Sequence, residues 1–403
     1  MRRGFPSHVH LFRANLAAVP PIAAQYVVTF LKPEMLHVYR QISALEAWTP
    51  VVFCQKRENA EHFPFDDVHV LAKPRTHQLR RFWQKSVLGH PIMIYPSEAC
   101  RLRDELKRAD AKVVHIYFGH IGVHLLPFLE LADRPPAVVS FHGADAQIDF
   151  DRPAFRQSMK RVFHHSARLL VRSESLGQRL IAHGAPKEKI RLHRTGLSLS
   201  EIPFHPREVP ENGEWRVLQA CRLIPKKGLM TTVRAFAQFV ARWPKAKLII
   251  AGTGPMQEEL RNAARSLDIA EKLCFTGFVT QPKLREWERS SHFFLHPSEL
   301  GPDGDQEGVP NSMLEAMASG LPVIATRHGG IPEAVEEGVS AILVAERDAD
   351  ALARQLLALA DDHARYAAMG AAAARRVAAE FDIFTQTRRL EAIYTECAAS
   401  PVV

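Results

Sequence analysis

The chain has 403 residues, of which 46% are hydrophobic and 24% charged, and this suits two ordinary globular domains. No apolar run approaches the roughly 20 residues that cross a bilayer, and His8, His10 and Arg13 interrupt the apolar stretch near the start, which argues against a signal peptide. The net charge of +8 is spread out with no nucleic-acid signature, so it favours an anionic inner membrane face or a phosphate-bearing lipid carrier over nucleic acid.

The first half of the chain, to about residue 205, alternates short apolar segments with amphipathic ones such as Ser97–Arg108 and Phe155–His165. Strands that alternate with helices predict a parallel, doubly wound sheet. The predicted strands are Val9–Leu11, Pro50–Cys54, Val68–Leu71, Val113–Phe118, Ala137–Phe141, Arg168–Arg172 and Ile190–Leu192.

Phe204–Gly213 is rich in proline and charge and is predicted to be an interdomain linker. A second α/β unit begins at Trp215. Its predicted strands and helices are Arg216–Ala220, Met230–Arg242, Ala246–Ala251, Met256–Ser266, Lys272–Thr276, Pro282–Ser290, Phe293–His296 and Leu321–Thr326. Asp348 to about Phe381 is alanine-rich and helical, and helical spacing of apolar residues predicts a last helix over Ile383–Ala398.

The stretch Glu307–Gly338 reads as loop, helix, strand, loop and helix. Pro310 suits the first turn of its first helix, Gly320 ends that helix, and Gly329 precedes the second one. Two helix N-termini therefore leave the carboxyl edge of a parallel sheet, where α/β proteins bind ligands. Their free N–H groups favour an anion.

Glu307 and Glu315 are the acids of this stretch, one before the first helix and one within it. A carboxylate accepts two hydrogen bonds and so can hold neighbouring hydroxyls of a sugar or a ribose. Two such acids beside a phosphate cradle could hold both sugars of a nucleotide sugar. Taken alone, each is better explained as a solvated charge at a helix end.

The sequence EGVPNSMLEAMASGLPVIAT, which begins at Glu307 and is followed by GGIPEAV, closely resembles the signature of glycosyltransferase family 4. The longer form DGDQEGVPNSMLEAMASG looks most like the colanic-acid and exopolysaccharide branch. The resemblance implies a retaining, metal-independent enzyme with the GT-B fold, two Rossmann-like domains that face a cleft. It implies an acceptor-side domain over residues 1–205, a donor domain over 214–381, and a helix from about 382 to 403 that returns to the first domain.

The same resemblance assigns roles within the stretch. Glu307 would hold the hexose hydroxyls and Glu315 the ribose, while Gly308, Val309 and Asn311 would complete this side of the donor site. UDP is favoured over GDP or ADP as the carrier because it is the commonest donor in such families. Beyond the nucleotide sugar itself, no cofactor is implied.

A basic turn, Cys221–Gly228, follows the first strand of the second unit and precedes a helix. Cations at such a junction make a natural diphosphate site, because arginine binds two oxygens at once and lysine adds a compact charge. The turn resembles the family's R-x4-K-G element, which places Arg222 and Lys227 on the donor diphosphate. We expect no direct role for Lys226.

Gly252 and Gly254 follow a predicted strand, but the third glycine of a dinucleotide fingerprint is replaced by Gln257 and the next strand lacks an acid at its end. We therefore predict a tight turn near the diphosphate, with Gly254 in the donor site, and no NAD site. The family resemblance places the Gly277–Val279 segment, which includes Phe278, on the nucleotide base through backbone groups.

Asp303-Gly304-Asp305 suggests a metal site, since two carboxylates can bind Mg²⁺ or Mn²⁺. The segment lies in a Gly/Pro loop just before Glu307, and its spacing does not match a calcium loop. We predict a mobile lid and no metal.

In the first domain, His142 and Asp145 follow a predicted strand and resemble the family's HG-x-D element. This implies that His142 hydrogen-bonds a hydroxyl of the reacting sugar, with Asp145 beside it. His115 and His120 are weaker candidates for the acceptor wall. The chain has Val27-Val28-Thr29-Phe30 where family members often carry a glycine-rich loop or an S-E-T-F element, so the first-domain phosphate contact stays open.

The sequence thus predicts a transferase that moves a hexose from a nucleotide sugar to a glycan or lipid-linked saccharide, with Arg222, Lys227, Glu307 and His142 in the reaction. One alternative is a glycoside hydrolase with two acids, and another is an inactive nucleotide-sugar-binding subunit. Five scattered cysteines fit a reducing cytoplasm, with peripheral contact to the membrane as an option.

Overall fold

The computed structural model describes residues 19–32, 35–84, 89–143, 145, 149–302 and 304–399. The predicted strand Val9–Leu11 lies outside these residues. The described chain forms two parallel sheets that are each flanked by helices. No helix within the described ranges is long and apolar enough to cross a membrane.

The first sheet has seven strands in the order β3-β2-β1-β4-β5-β6-β7, all paired in parallel. Its strands are β1 (Ile22–Phe30), β2 (Thr49–Arg57), β3 (Val68–Val70), β4 (Ala111–Tyr117), β5 (Ala137–Phe141), β6 (Arg168–Val171) and β7 (Ile190–Leu192). Its helices are α1 (Leu36–Ser43), α2 (His77–Phe82), α3 (Pro96–Arg108), α4 (Gly119–His124), α5 (Leu126–Leu129), α6 (Pro153–His165) and α7 (Glu174–Ala182).

The central strand β1 is the main difference from the predicted elements. We expected no strand over Ile22–Phe30, yet this segment pairs with both β2 and β4 and its inner residues are buried. An apolar run buried on both faces has no polar alternation, and this makes a central parallel strand hard to tell from other apolar segments.

The second sheet has six strands in the order β10-β9-β8-β11-β12-β13, again all parallel. Its strands are β8 (Arg216–Ala220), β9 (Lys247–Ala251), β10 (Leu273–Gly277), β11 (Phe293–His296), β12 (Val323–Thr326) and β13 (Ile342–Val344). Its helices are α8 (Leu229–Arg242), α9 (Gln257–Ser266), α10 (Gln281–Ser290), α11 (Asn311–Ala318), α12 (Ile331–Ala334), α13 (Ala349–Asp361) and α14 (His363–Glu380).

The last helix, α15 (Ile383–Ala399), packs on the first sheet. Leu390 and Tyr394 are fully buried against strand residues such as Val113. The Glu391 carboxylate accepts hydrogen bonds from the backbone N–H groups of Glu46 and Ala47. Helix α15 therefore ties the end of the chain to the first sheet.

Each sheet reverses its strand order once, next to β1 in the first sheet and next to β8 in the second. Ligands of open α/β sheets bind outside the carboxyl ends of the strands at such a point. The loops that leave β5 in the first sheet, and β8, β9, β11 and β12 in the second, carry most of the residues singled out from the sequence.

Candidate active site

The basic turn lies where the sequence predicted it, directly after β8. The Ser312 hydroxyl in the first turn of α11 donates to the carbonyl of Ala220 at 2.8 Å, so the N-terminus of α11 is held against the end of β8. Helix α11 has no side-chain N-cap. Arg222 is exposed beside it, whereas Lys227 is 8% exposed. Cations and free helix N–H groups thus share one end of the sheet.

The Lys227 ammonium forms an ion pair with the Glu307 carboxylate. The Nε2 atom of His296 lies 3.8 Å from the same carboxylate. Burial alone would raise the pKa of Glu307, but the charge of Lys227 and the neighbouring His296 outweigh it and hold this pKa well below its usual range. Glu307 is therefore ionised across the physiological pH range.

His328 and Glu346, which the sequence analysis did not single out, fix the Glu307 loop. The backbone N–H of Glu307 donates to Nε2 of His328 at 3.1 Å, and Nδ1 of His328 lies 2.7 Å from the Glu346 carboxylate. Glu346 also accepts the N–H of Leu300 at 2.8 Å. A ring that donates through Nδ1 keeps Nε2 free to accept, so this pair determines where Glu307 lies.

Two glycines let the next loop approach the Glu307 segment. Gly329 has φ +55°, and a Cβ there would lie 2.0 Å from the carbonyl oxygen of Glu307. A Cβ on Gly330 would meet Gly308 at 3.0 Å. The glycine pair is required for backbone packing under the loop, a purpose that its sequence position alone did not reveal.

Glu315 lies one turn inside α11 and is 4% exposed. Its carboxylate pairs with Arg285 of α10 at 3.2 Å and lies 3.7 Å from Arg40 of α1, which belongs to the first domain. Arg40 also pairs with Glu201 at 2.5 Å. The acid predicted to hold the ribose is thus part of a charge network that joins the two domains.

The glycine turn after β9 packs under the basic turn. A Cβ on Gly254 would lie 2.4 Å from the carbonyl oxygen of Leu223, so only glycine fits. The N–H of Gly252 donates to the carbonyl of Gly277 at 2.8 Å. Gly277 has φ +70° and open space around it, and Phe278 is 76% exposed. The backbone at Gly277 and Phe278 is therefore accessible, beside the basic turn.

Lys226 is buried and has a supporting contact, and the expectation that it takes no direct part at the diphosphate stays a prediction. It pairs with Asp305 at 2.6 Å and is 8% exposed, so it holds the loop that leads into Glu307. Asp303 lies outside the described residues. Within the described ranges, no group of three or more His, Cys, Asp or Glu residues is arranged to hold a metal ion.

His142 lies at the end of β5, on the opposite wall of the cleft. Its Nδ1 is 3.2 Å from Nε2 of His37, and its Nε2 is 3.0 Å from the Ser140 hydroxyl. Burial, and next the charge of Arg172, hold the pKa of His142 well below its usual range. His142 is therefore a neutral ring whose two nitrogens already have protein partners.

Asp145 supports the His142 loop from beneath. Its carboxylate accepts the backbone N–H groups of His142, Gly143 and Gly119 at 2.8 to 2.9 Å. Asp145 is 8% exposed. The structure gives it the role of holding the loop after β5 against the start of α4, with its oxygens turned to the backbone rather than to the cleft.

The interpretation of His115 as part of an acceptor wall does not fit the structure. The residue lies within β4 with no exposed surface, stacks on Tyr117 and is 2.6 Å from the hydroxyl of Tyr394 in α15. The return of α15 covers it, which the local sequence cannot reveal. His120 is exposed in α4 and stays a candidate.

Arg172, directly after β6, is a further residue that sequence reasoning missed. It is 5% exposed and its guanidinium donates to Gln41 of α1 at 2.9 Å and to the carbonyls of His193 and Arg194. None of its described contacts is a carboxylate. Its position at the end of a predicted strand was the feature of the sequence that could have indicated a functional residue. Burial, and next the charge of Arg172, hold the pKa of the neighbouring His142 and His193 rings below its usual range.

The two walls are close together. A Cβ on Gly308 would lie 3.7 Å from the carbonyl oxygen of His142, and the cavity between the walls is about 10 Å³, room for roughly one water. Several contacts cross beside it. The Glu333 carboxylate accepts the N–H groups of Glu174 and Ser175 at 2.6 and 2.8 Å, Arg179 donates to Gln306, and Arg40 approaches Glu315.

Comparison of the sequence with known proteins identifies the family to which this chain belongs. The family model of the group 1 glycosyl transferases matches residues 201–376, and that of the glycosyl transferase 4-like domain matches residues 33–196. The amylovoran biosynthesis glycosyltransferase AmsK of Erwinia amylovora is 32% identical over 289 residues, 72% of this chain and 71% of AmsK. The chain belongs to the group 1 glycosyl transferases.

One further relative and one solved structure extend the comparison. A GDP-mannose-dependent alpha-(1-6)-phosphatidylinositol monomannoside mannosyltransferase of Mycobacterium tuberculosis is 37% identical over 307 residues, 73% of this chain and 79% of the relative. The crystal structure of Anabaena Alr3699/HepE in complex with UDP superposes with a TM-score of 0.73 at 17% identity, covering 93% of this chain and 100% of HepE. The fold is therefore GT-B.

Proposed function

We propose that this group 1 glycosyl transferase moves a hexose, with retention and without a metal ion, from a nucleotide sugar to a glycan or lipid-linked saccharide in exopolysaccharide biosynthesis. The observation that carries the proposal is the ion pair of Lys227 and Glu307 at the carboxyl ends of the second sheet, facing the His142 loop. The name of the relative AmsK, an amylovoran biosynthesis glycosyltransferase, supports the pathway.

On the donor side, negative charge builds on the diphosphate as it leaves the sugar. Arg222, Lys227 and the uncapped N-terminus of α11 lie together at the end of β8, and we assign them the stabilisation of that charge. Arg222 is exposed and so has freedom to turn onto phosphate oxygens. In enzymes that use a metal ion, that ion stabilises the charge on the leaving diphosphate.

Glu307 is assigned to the hexose hydroxyls, since an ionised carboxylate accepts two hydrogen bonds and Lys227 keeps it ionised. Glu315 is assigned to the ribose. Its present partners Arg285 and Arg40 both approach Oε1, and we assign the ribose hydroxyls to the other carboxylate oxygen. The reaction then needs no protein nucleophile, and the acceptor attacks on the face from which the diphosphate leaves.

We infer that the two walls separate to admit a nucleotide sugar, because the pocket between the Glu307 loop and the start of α7 has a volume of only about 10 Å³. Opening would separate Glu333 from the start of α7 and Arg179 from Gln306. On closing, neutral His142 would exchange its contact with His37 or Ser140 for a hydroxyl of the sugar, which it can hydrogen-bond without adding charge. We place the reaction at this closed cleft in the cytoplasm, with the acceptor on the His142 side.

The proposal also concerns which nucleotide base the donor carries. UDP is our expectation, and the HepE complex holds UDP in the same fold. The printed name of the mycobacterial relative, which is 37% identical, specifies GDP-mannose, and this makes GDP the second candidate. Gly277 and Phe278, with open space and exposure beside the basic turn, are where we place the base.

The deciding experiment is thermal unfolding with UDP, GDP and ADP. A ligand at 100 times its Kd stabilises the folded state by about 2.7 kcal/mol, a shift of roughly 2–4 °C in Tm for a chain of this size. We expect a shift with one nucleotide, its loss in Lys227→Ala, and its retention in Lys245→Ala, a matched change at an exposed lysine of the same domain.

The alternatives give different results. A glycoside hydrolase would bind none of the nucleotides and would release sugar from a glycan. An inactive subunit would bind a nucleotide but release no nucleoside diphosphate from the matching donor, even slowly. Release that requires both Lys227 and Glu307 would support the transferase, and no shift with any nucleotide would contradict the donor site.

A further inference from the structure

A cavity outside the cleft lies between helix α10 and the segment that joins the two domains. Its volume is about 320 Å³, and small-molecule sites begin at about 300 Å³. Ile202 and Pro203 line it from the joining segment, whereas Pro282, Arg285 and Arg289 line it from α10. Apolar surface with a few charged groups is the usual lining of a ligand site.

The frame of this cavity is fixed by the buried residue Arg207. Its guanidinium donates to the carbonyls of Glu288 and Arg289 near the end of α10, at 3.0 and 2.9 Å, and to the carbonyl of Ser319 at the end of α11, at 2.7 Å. The N–H of His205 donates to the same Ser319 carbonyl at 3.1 Å. Two helix ends and the joining segment are thus held together, so the cavity is part of the fold of the second domain.

Glu288 supplies the polar group that indicates a ligand. It lines the cavity and is 1% exposed. Its Oε2 accepts from Arg285 at 2.6 Å, whereas its buried Oε1 has no hydrogen-bond partner in the part of the chain that the structure describes. A buried polar atom without a partner costs free energy. A hydroxyl both donates and accepts, so it would satisfy Oε1 whether Glu288 is ionised or protonated.

Arg289 supplies positive charge at the rim of the cavity. Its side chain is exposed and forms no ion pair with any described acid. The neighbouring Glu286 carboxylate is paired with Lys283 instead. A guanidinium without a carboxylate partner can bind two oxygens of a phosphate at once. The cavity therefore offers an anion contact at its rim and a hydroxyl contact at Glu288.

Arg285 connects the cavity to the candidate active site. Its guanidinium bridges Glu288 at 2.6 Å and Glu315 at 3.2 Å. Glu315 in turn lies 3.7 Å from Arg40 of the first domain. A hydroxyl that donates to Glu288 shares its negative charge, which leaves Arg285 more strongly paired with Glu315. The ligand would thereby hold Glu315 in one orientation.

We propose that this cavity binds a hexose monophosphate, with the phosphate on Arg289 and a hydroxyl on Oε1 of Glu288, and that the bound ligand strengthens nucleotide binding through Arg285 and Glu315. A bare phosphate would leave Glu288 without a partner, and a free hexose would leave Arg289 unpaired. The effect on the nucleotide rests on the proposed function, because Glu315 is assigned to the ribose. Binding in the cavity does not.

The first test is thermal unfolding with glucose 1-phosphate, glucose 6-phosphate and mannose 1-phosphate. We expect at least one of them, at 100 times its Kd, to raise Tm by roughly 2–4 °C. Inorganic phosphate and glucose at the same concentration should leave Tm unchanged, since each makes only one of the two contacts. No shift with any of the three hexose phosphates would overturn the proposal.

Two variants locate the ligand within the cavity. Arg289→Ala changes an exposed side chain and should abolish the hexose-phosphate shift, whereas Arg234→Ala, a matched change at an exposed arginine of the same domain, should keep it. Glu288→Met retains the apolar part of the side chain without its oxygens and should weaken binding by about tenfold or more. A shift that survives in Arg289→Ala would overturn the proposal.

The donor site is the other place where a phosphate could bind. Lys227→Ala should lose the nucleotide shift but keep the hexose-phosphate shift, and Arg289→Ala should do the reverse. Loss of the hexose-phosphate shift in Lys227→Ala would place the ligand in the donor site and overturn the proposal. A wild type that responds to hexose phosphate but to no nucleotide would support the cavity and contradict the proposed donor site alone.

The coupling between the two sites is measured by calorimetric titration of the nucleotide with and without saturating hexose phosphate. We expect the nucleotide Kd to fall by about fivefold or more, and the hexose-phosphate Kd to fall by the same factor when nucleotide is present, because linkage is reciprocal. A nucleotide Kd that does not change with hexose phosphate would overturn the coupling through Arg285.

Discussion

The two walls of the cleft are built on different electrostatic principles. The second-domain wall pairs opposite charges, with Lys227 against Glu307 and Lys226 against Asp305. The first-domain wall has the buried rings of His142 and His193 near the Arg172 guanidinium, and burial, followed by that charge, holds the pKa of both rings below its usual range. A fixed charge suits a diphosphate and the hydroxyls beside it, whereas neutral polar groups can orient an uncharged sugar without competing for the phosphate.

The largest expected effect comes from the charged wall. Glu307→Gln keeps the shape of the side chain but removes its charge, so turnover should fall by about 10²–10³, while the nucleotide-induced Tm shift changes little. Steady-state kinetics and thermal unfolding measure the two effects. Glu337→Gln, at an exposed acid of the same domain, is the control. Equal losses of turnover and nucleotide binding would contradict the assignment of Glu307 to the hexose.

The next effect tests how the charged wall is positioned. His328→Phe keeps the ring but removes the acceptor for the Glu307 N–H, and we expect turnover to fall by about 10- to 100-fold from misplacement of the carboxylate. His328→Gln should recover part of the activity, because its amide can accept from Glu307 and donate to Glu346. If the two variants lose activity equally, His328 acts only through packing.

Glu288 is a buried acid with no assigned role in donor binding, and its pKa is shifted in the opposite direction from that of Glu307. Burial raises the pKa of Glu288 to about 7, and neighbouring Glu315 adds to the increase while Arg285 opposes it. The folded state therefore binds the proton more tightly than the unfolded state. The stability that this proton adds is fully present below about pH 4.5 and is lost as the pH rises through about 7.

Glu288→Gln should accordingly remove about 3 kcal/mol of the pH dependence of the free energy of unfolding over this window. Urea denaturation at a series of pH values measures it. Glu286→Gln, at an exposed acid of the same helix, should leave the pH profile unchanged. A wild-type profile that is flat from pH 5 to 7, matching the Glu288→Gln profile, would show that Glu288 stays ionised.

The smallest expected effect is a loss of stability when a buried hydrogen bond behind the first-domain wall is removed. Tyr394→Phe removes the hydroxyl that contacts Nδ1 of His115 at 2.6 Å and Gln25 at 3.3 Å, so stability should fall by about 1 kcal/mol. Tyr39→Phe, whose hydroxyl bonds a carbonyl at the surface, should cost less. Comparable losses in the two variants would mean that the buried network contributes nothing beyond an ordinary surface hydrogen bond.

The sequence determined most of what depends on neighbours along the chain. The turn that carries Lys227, the loop before α11 and the glycines after β12 follow from strand, turn and helix signals within a few residues. Their meeting at one sheet edge follows from parallel strand order. The resemblance to glycosyltransferase family 4 and the GT-B fold are confirmed by the family models and by the structure.

Only the tertiary structure decided which distant residues meet. It placed β1 at the sheet centre, covered His115 with α15, joined His328 to Glu346, and brought Arg40 to Glu315. It also turned Leu79 and Phe82 of α2 outward. A hydrophobic pattern shows that one face of an element is apolar, but whether that face meets the core or the outside depends on packing between segments far apart in sequence.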